Sequence, residues 1–294
     1  MIYAITGATG NIGSKLAAQL LAAGHAVRVI GRDAKRLAPL VSQGAKAYVG
    51  KLSDKGFLTE AFTGTDAVFA MLPPQHDAAD LHAAQVPNRD ALVAALKDAQ
   101  VSHVVALSSV GANHPSGTGV VETLYHFEQA LAGLGETHIK ILRPSFFMEN
   151  LFGQLPVIRA AGIVATSVQP DKAVPMIATQ DIAAAAAEFL LARNFSGHSV
   201  QFLLGSRDYT YPQVAELLGK ALNKPQLPYV QLSYADEIAG LTQAGLSPSV
   251  AEGLSNLNRS VNEGKLLQSV TRTPENSTPT TLADFLPELA KAYR

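Results

Sequence analysis

The sequence predicts an α/β fold, in which a doubly wound parallel sheet is followed by a smaller α+β domain interwoven with it. Short β-branched runs alternate with Ala/Leu-rich runs through the first half of the chain, which is the pattern of βαβ units. A glycine-rich turn separates the first strand from the first helix, and prolines interrupt the alternation in the second half. We therefore place a first domain at residues 1–150 and a smaller one at 151–294.

In the first part, each predicted strand is followed by a predicted helix. The strands are expected at 2–6, 26–30, 46–49, 67–71, 104–108 and 139–142, and the helices at 12–23, 34–41, 57–62, 78–99 and 121–134. The run V-V-A-L at 104–107 has no polar alternation, which is typical of a strand covered by helices on both faces. Right-handed crossovers then give a parallel sheet.

The second part has shorter elements. The pattern predicts a helix over 182–192 capped by Asp181, a strand over 200–204, a helix over 212–222 and a more polar helical stretch over 233–269. Neither a linker nor a repeat separates these elements from the first part. We therefore expect a second domain that is woven into the first rather than attached behind it.

Composition and charge exclude several classes of protein. The 294-residue chain is 47% hydrophobic and 16% charged, and its 23 Lys and Arg against 24 Asp and Glu give a net charge of -1. These values are typical of a globular domain and leave no basic excess for direct nucleic-acid binding. The chain has no cysteine, which excludes disulfides, thiol catalysis and thiolate metal sites. Its eight histidines lack metal-ligand spacing, so no metal site is expected.

The start of the chain, M-I-Y-A-I-T-G, lacks the basic and apolar stretches of a signal peptide. No apolar run is long enough to span a membrane. The expected location is therefore the cytoplasm, without a membrane partner. The sequence leaves the oligomeric state open, with a homodimer as one option.

The strongest motif is the turn between the first predicted strand and the first predicted helix. Residues 7–13 are G-A-T-G-N-I-G, which places Gly7, Gly10 and Gly13 between the two elements. Glycine permits positive φ and close approach of the backbone to a pyrophosphate, while the amides and dipole of the helix N-terminus hold the anion. In this context the motif indicates a dinucleotide-binding Rossmann domain, the alternative being a merely tight turn of small residues.

The end of the second strand predicts which dinucleotide is bound. NAD-binding domains usually place a carboxylate here for the ribose 2′-hydroxyl, but this chain has Gly31 followed by Arg32. A guanidinium can hold a 2′-phosphate with two hydrogen bonds. Asp33 fits equally well as the N-cap of the next helix. We therefore expect NADP(H) to be preferred over NAD(H), the alternative being an ordinary exposed arginine.

Several segments together resemble a known family. The G-x-x-G-x-x-G spacing of the turn is that of short-chain dehydrogenase/reductases. The segments V-R-V-I-G-R-D, L-P-P at 72–74, L-S-S at 107–109, L-R-P-S-F-F-M-E-N at 142–150 and T-P-T-T-L-A-D-F-L at 278–286 resemble the NmrA-like atypical branch. Within that branch the chain is most similar to type 2 NAD(P)H:quinone oxidoreductases. The resemblance spans nearly the whole chain and implies an NAD(P)-binding domain, a substrate domain, and either quinone reduction or cofactor sensing.

The resemblance also implies a set of cofactor contacts. The amides from Thr9 to Ile12 would hold the pyrophosphate, Leu52 would cover the adenine, and Leu72-Pro73 would lie beside the nicotinamide ribose. Relatives commonly have Asp where Lys51 stands, so the adenine amino group lacks that partner here. The predicted cofactor-binding residues are Gly7, Thr9, Gly10, Asn11, Ile12, Gly13, Arg32, Leu52, Leu72 and Pro73.

The catalytic positions depart from the superfamily pattern. Short-chain dehydrogenases use Tyr-x-x-x-Lys on a helix, with a serine at the end of the preceding strand. Here Ser108-Ser109 takes the serine position, and Tyr125 is followed four residues later by Gln129. Positions i and i+4 share a helix face, so Gln129 replaces the lysine and Tyr125 is expected to be a weak acid. The predicted catalytic residues are Tyr125 and Ser109, and the predicted substrate contacts are Phe147 and Asn150.

Three functions remain open. The first is hydride transfer from NADPH to a quinone-like or other small electron-poor acceptor, which needs orientation more than a strong acid. The second is a non-catalytic sensor of the NADP redox state that signals to a regulatory protein and needs only the dinucleotide site. The third is a sugar-nucleotide epimerase or dehydratase, which depends on Tyr and Lys together, so Gln129 argues against it.

Overall fold

A parallel sheet of seven strands lies at the centre of the computed structural model, which describes residues 1–268 and 270–294. The strands are β1 (Ile2–Ile5), β2 (Ala26–Gly31), β3 (Lys46–Val49), β4 (Ala67–Ala70), β5 (His103–Leu107), β6 (His138–Pro144), β7 (Phe146–Phe147), β8 (Val164–Thr166), β9 (Ala173–Ile177), β10 (His198–Leu203), β11 (Arg207–Thr210) and β12 (Tyr229–Gln231). The central sheet has the order β3-β2-β1-β4-β5-β6-β10, and all neighbouring pairs are parallel. This order confirms the predicted doubly wound α/β fold.

Helices cover both faces of this sheet. In the described residues the helices are α1 (Asn11–Ala22), α2 (Ala34–Val41), α3 (Lys55–Phe62), α4 (Leu81–Asp98), α5 (Glu122–Ala132), α6 (Leu155–Ala161), α7 (Thr179–Ala192), α8 (Tyr211–Ala221), α9 (Tyr234–Gln243), α10 (Pro248–Asn262) and α11 (Leu282–Tyr293). Short 3₁₀ helices occur at Gly119–Val121, Met148–Gln154 and Pro274–Asn276. One core lies between the sheet and α1 and α7, and another between the sheet and α3, α4 and α5. Because both faces are covered, the central strands are apolar throughout, as in β4, where every residue is buried.

The order of the strands reverses between β1 and β4. β1 pairs with both β2 and β4, so the chain fills one side of the sheet with β2 and β3 and then crosses to the other. Doubly wound folds bind their ligands outside the carboxyl ends of the strands at this point. The glycine-rich turn follows β1 directly, so it lies at this edge of the sheet.

The second half of the chain completes the first core and builds another. β10 is the last strand of the central sheet, and α7 packs on α1. The sheets β7-β9-β11 and β8-β12 surround a separate core with α8 and α11. α10 is joined to the start of α4, because the Ser249 hydroxyl accepts from the amide of Leu81 and the Ser247 hydroxyl donates to the carbonyl of Ala78. The second half therefore lies against the ligand-binding edge of the central sheet.

The predicted cap of α7 is wrong. The helix begins at Thr179, with Ala178 as its N-cap residue, and Asp181 lies inside its first turn. The carboxylate of Asp181 instead accepts hydrogen bonds from the amide and the hydroxyl of Thr280. The amide of Thr179 donates to Glu149, so a side chain from a distant element satisfies the helix start.

The stretch 233–269, predicted to be helical, forms two helices. α9 ends before Gly245, which has a φ of 99°. α10 starts after Ser247, whose hydroxyl accepts from the amide of Val250. A glycine in the left-handed region ends a helix, and a serine N-cap followed by proline starts the next one. The polar character of the stretch gave no indication of this break. Its last residue, Ser269, lies outside the described residues.

Candidate active site

The turn after β1 is shaped by its glycines. Gly7 has a φ of 64°, in the left-handed region that glycine adopts without strain. A Cβ on Gly13 would lie 2.8 Å from the carbonyl carbon of Gly7, so glycine is needed for α1 to approach the turn this closely. The amide of Gly10 donates to the carbonyl of Gly7 at 3.0 Å, which closes the turn.

The N-terminus of α1 is open to a ligand. Its N-cap residue is Gly10, and no side chain in the described part of the chain caps its first amides. The next three helices, α2 to α4, are instead capped by Asp33, Asp54 and Asp80. Free amides at the positive end of a helix dipole form an anion site. The geometry of the turn therefore suits a pyrophosphate.

Two arginines lie at the outer edge of the turn. Arg32 follows β2, is exposed, and has no hydrogen bond or ion pair with another described residue. Asp33 caps α2 by accepting from the amide of Lys35 at 2.8 Å, so its carboxylate is engaged. Arg36, one turn further along α2, donates from Nη2 to the carbonyl of Thr9 at 3.3 Å. This edge thus carries two guanidinium groups, of which the sequence analysis singled out only Arg32.

The other predicted cofactor positions lie at the ends of β3 and β4. Leu52 packs, partly buried, against the core under the sheet, and Lys51 beside it is exposed. Leu72 lines the cavity that follows β4. The carbonyl of Pro73 accepts from Nε2 of Gln85 at 2.8 Å, which fixes the start of this loop against α4.

A cavity of about 350 Å³ lies at the carboxyl ends of β4, β5 and β6. Most of its lining is apolar, with Met71, Leu107 and Phe146 on the side of the sheet and Val250 and Leu254 of α10 opposite. None of the described residues that line it is Asp, Glu, Lys or Arg. Such a cavity suits an uncharged, largely apolar molecule held by a few polar groups.

Ser108, in the cavity wall, is joined to a buried ion pair. Its hydroxyl donates to the carboxylate of Glu128, and Arg143 donates to the same carboxylate from Nε at 3.0 Å and from Nη2 at 2.5 Å. Ser108 is 3% exposed, and the side chains of Glu128 and Arg143 are 6% and 12% exposed. A hydrogen bond to an ionised carboxylate is strong, so the Ser108 proton is committed to Glu128.

The structure does not bring Tyr125 to the cavity. The residues of α5 that face the cavity wall include Leu124, which lines it, and Glu128, which reaches Ser108. Tyr125 lies one residue further round the helix, half-buried, with its ring edge-on to His126 at 5.4 Å. Gln129 is exposed. The side of the helix toward the cavity wall thus carries Leu124 and Glu128 and not Tyr125 and Gln129.

The other predicted site residues do come together. Ser109, Phe147 and Asn150 all line the cavity. Gln85 and Ser145 also line it, and neither was singled out from the sequence. Ser145 lies inside the segment L-R-P-S-F-F-M-E-N, but nothing in the pattern distinguishes a serine that faces a cavity from one that ends a strand.

Within the ranges that the structure describes, no group of three or more His, Asp or Glu side chains is placed to hold a metal ion. No helix in those ranges is long and apolar enough to cross a membrane. The candidate site consists of the glycine-rich turn, the two arginines at its edge and the apolar cavity.

Known proteins are similar to this chain over most of its length. A NAD(P)H azoreductase of Xenophilus azovorans is 29% identical over 257 residues, which cover 86% of this chain and 85% of the azoreductase. Quinone oxidoreductase 2 of Escherichia coli is 26% identical over 267 residues, which cover 90% of each protein. The crystal structure of an NADPH-dependent quinone oxidoreductase from Escherichia coli, complexed with NADPH, matches with a TM-score of 0.83. That match has 27% identity and covers 98% of this chain and 99% of the other.

The sequence profile of the NmrA-like family matches residues 2–285. This range contains the glycine-rich turn, the strands that end at the cavity, and α10, which closes it. The match confirms the resemblance that the sequence motifs indicate, and the chain belongs to the NmrA-like family.

Proposed function

We propose that the protein is an NADPH-dependent oxidoreductase that transfers a hydride to a quinone-like or other planar, electron-poor acceptor. The observation that carries the proposal is the cavity, which lies at the carboxyl ends of β4, β5 and β6 and has no charged group in its described wall. A flat aromatic acceptor fits such a wall, whereas a phosphorylated or carboxylated substrate would bury an unpaired charge. The relatives named as an azoreductase and a quinone oxidoreductase support this class of acceptor.

The residues at the turn fit a dinucleotide. The uncapped amides of Asn11 and Ile12 would bind the pyrophosphate, and Gly10 keeps the approach to them free of a side chain. Arg32 and Arg36 would bind the ribose 2′-phosphate through charge-assisted hydrogen bonds, which favours NADPH over NADH. The bound cofactor supplies the hydride. The Escherichia coli relative was solved as a complex with NADPH, which supports a nicotinamide cofactor.

The protein's own contribution is orientation. The apolar rings of Phe146 and Phe147 line the cavity, and Leu254 of α10 lines it as well. Fixing two reactants in a productive geometry lowers the barrier without a strong acid. A reduced quinone carries its negative charge over a conjugated ring, so one good hydrogen-bond donor is sufficient to stabilise it.

A sensor of the NADP redox state is the second candidate. It is favoured by the position of Tyr125 and Gln129 outside the cavity lining, because a binding protein needs no proton donor. Such a protein would bind NADP(H), turn over no acceptor, and pass the redox state to a regulatory protein. The same position disfavours an epimerase or dehydratase, since those reactions depend on a Tyr–Lys pair beside the nicotinamide.

The experiment that separates these functions follows consumption of NADPH and NADH against a panel of quinones and azo dyes, with calorimetric titration of both cofactors alongside. We expect turnover with NADPH and uncharged planar acceptors, and poorer turnover of sulfonated dyes. Tight NADPH binding without turnover of any acceptor would favour the sensor. Turnover with NADH in preference to NADPH would contradict the cofactor assignment.

A further inference from the structure

The hydroxyl groups of the cavity wall, with one exception, donate hydrogen bonds to the protein itself. The hydroxyl of Ser108 donates to Glu128, and the hydroxyl of Ser109 donates to the carbonyl of the next residue at 3.0 Å. The hydroxyl of Thr123 donates to a backbone carbonyl of its own helix start at 2.9 Å. These three hydroxyls can accept hydrogen bonds from a ligand, but their protons are already used in hydrogen bonds within the protein.

The two glutamine amides of the wall each donate one hydrogen bond to the protein. Nε2 of Gln75 donates to the carbonyl of Ala84 at 2.7 Å, and Nε2 of Gln85 donates to that of Pro73 at 2.8 Å. Oε1 of Gln85 is buried and has no partner among the described residues, but a carbonyl oxygen can only accept. His76 and Asn150 line the cavity as well, but both are exposed.

Ser145 has the one hydroxyl of the described wall whose proton has no partner. It follows β6, is 4% exposed and lines the cavity, and its hydroxyl oxygen is buried without a hydrogen-bond partner in the described structure. Its backbone amide is satisfied by the carbonyl of Leu203 at 2.9 Å, which fixes the residue in place. A buried hydroxyl without a partner destabilises a protein, so its presence beside a cavity points to a ligand.

We propose that Ser145 is the catalytic hydrogen-bond donor of this site, and that it binds the acceptor oxygen on which negative charge develops. The inference rests on the proposed function. In that reaction the acceptor gains a hydride, which carries two electrons, from NADPH, and NADP⁺ is released. One proton from solvent then completes the reduction, so a quinone becomes a hydroquinone. Ser145 keeps its own proton and stabilises the oxyanion until the solvent proton arrives.

This role predicts opposite effects of one substitution on activity and on stability. In Ser145→Ala, the donor to the acceptor oxygen is lost, so kcat with a naphthoquinone should fall about ten- to hundredfold. The same substitution removes an unpartnered buried hydroxyl, so the midpoint of thermal unfolding of the cofactor-free protein should not fall. A purely structural role for Ser145 would lower stability, and activity would follow it.

The test compares Ser145→Ala with Ser255→Ala, which removes another buried hydroxyl without a described partner, at a residue of α10 outside the cavity lining. We expect a large loss of kcat only in Ser145→Ala, unchanged NADPH affinity by calorimetry in both variants, and restored turnover in Ser145→Thr, which keeps the hydroxyl. Ser145→Gly gives the same comparison if the alanine variant does not fold. Equal turnover in the two alanine variants, or a loss of stability matching the loss of kcat, would overturn the inference. If the wild type reduces no acceptor, the proposed function is wrong, and the inference that rests on it is wrong as well.

Discussion

The carboxylate of Glu128 on α5 forms a two-point ion pair with the guanidinium of Arg143 on β6, behind the cavity wall. The same carboxylate accepts the hydroxyl proton of Ser108 at the end of β5. One buried side chain thus links a helix and two strands, and it determines which face of α5 points at the cavity. That face carries Leu124, and Tyr125 lies outside the cavity lining.

Removing Glu128 should destabilise the protein strongly. Glu128→Ala leaves the guanidinium of Arg143 buried and unpaired, and breaking one side of a buried ion pair typically costs about 3–5 kcal/mol of unfolding free energy. Chemical denaturation measures this loss directly. The matched control is Gln129→Ala, an exposed neighbour on the same helix, which should change the free energy of unfolding by less than about 0.5 kcal/mol. Equal stability of the two variants would show that the ion pair is not a structural link.

Cofactor preference should depend on the two arginines at the turn. A hydrogen bond to a charged group contributes about 1.5–3 kcal/mol, so Arg32→Ala should weaken NADPH binding about tenfold or more and leave NADH binding unchanged. Arg36→Ala should act in the same direction, because its guanidinium already reaches the turn at Thr9. Lys35→Ala, an exposed cation on the same helix, serves as the control. Wild-type protein with equal affinity for the two cofactors would contradict the assignment.

Substitutions at two glycines of the turn should differ in their effects on NADPH binding and on stability. Gly10 is exposed at the N-cap of α1, so Gly10→Val should abolish NADPH binding and leave a folded protein. Gly13 packs against the turn, where a Cβ would lie 2.8 Å from the carbonyl carbon of Gly7, so Gly13→Val should lower stability. Calorimetry and thermal unfolding of both variants give the comparison. NADPH binding at normal affinity by Gly10→Val would show that the pyrophosphate lies elsewhere.

Much of this architecture is predictable from the sequence because short-range patterns determine it. The observed bounds of α2 and β3 are those predicted, since Asp33 starts one element and glycines flank the other. The glycine-rich turn and its place at the sheet edge follow from the order of the first elements. The break at Gly245 was missed, because the polarity of the stretch gives no indication of a positive φ there.

The hydrogen bonds of the cavity wall could not be predicted, because they depend on contacts between distant segments. The orientation of α5 is set by the pairing of Glu128 with Arg143. Arg143 lies in the segment L-R-P-S-F-F-M-E-N, but nothing in that segment indicates Glu128 as its partner. Spacing alone placed Tyr125 and Gln129 on one face, but it could not tell which face turns inward. The free hydroxyl of Ser145 becomes apparent only when the partners of the other donors are known.

Stability should also depend on pH through His103. Burial lowers the pKa of His103, and electrostatic repulsion from His138 and Arg193 lowers it further. The fold therefore favours the neutral ring, so this contribution to stability is complete above the unfolded pKa of about 6.5 and is lost as the pH falls through the lower folded pKa. In His103→Gln, the free energy of unfolding should decline less on acidification than in the wild type. The exposed His198 supplies the control, His198→Gln, and equal declines in the two variants would contradict the prediction.

Tyr125 should matter little for the reaction. Its ring packs against His126 outside the cavity lining, so Tyr125→Phe should reduce quinone turnover by much less than the roughly 10²-fold that loss of a general acid causes. Steady-state kinetics with NADPH and a naphthoquinone measure the effect. A loss of about 10³-fold with unchanged cofactor affinity would show that the tyrosine reaches the acceptor after all.

The most direct test of the central claim is a single-turnover experiment in which the NADPH-loaded protein is mixed with a neutral naphthoquinone in the absence of oxygen. The absorbance of the reduced nicotinamide reports the reaction. We expect one NADPH to be oxidised for each quinone reduced, faster than without the protein, and more slowly when the transferring hydrogen of NADPH is deuterium. Protein that binds NADPH tightly and leaves it reduced in the presence of every uncharged planar acceptor would contradict the account and identify a sensor.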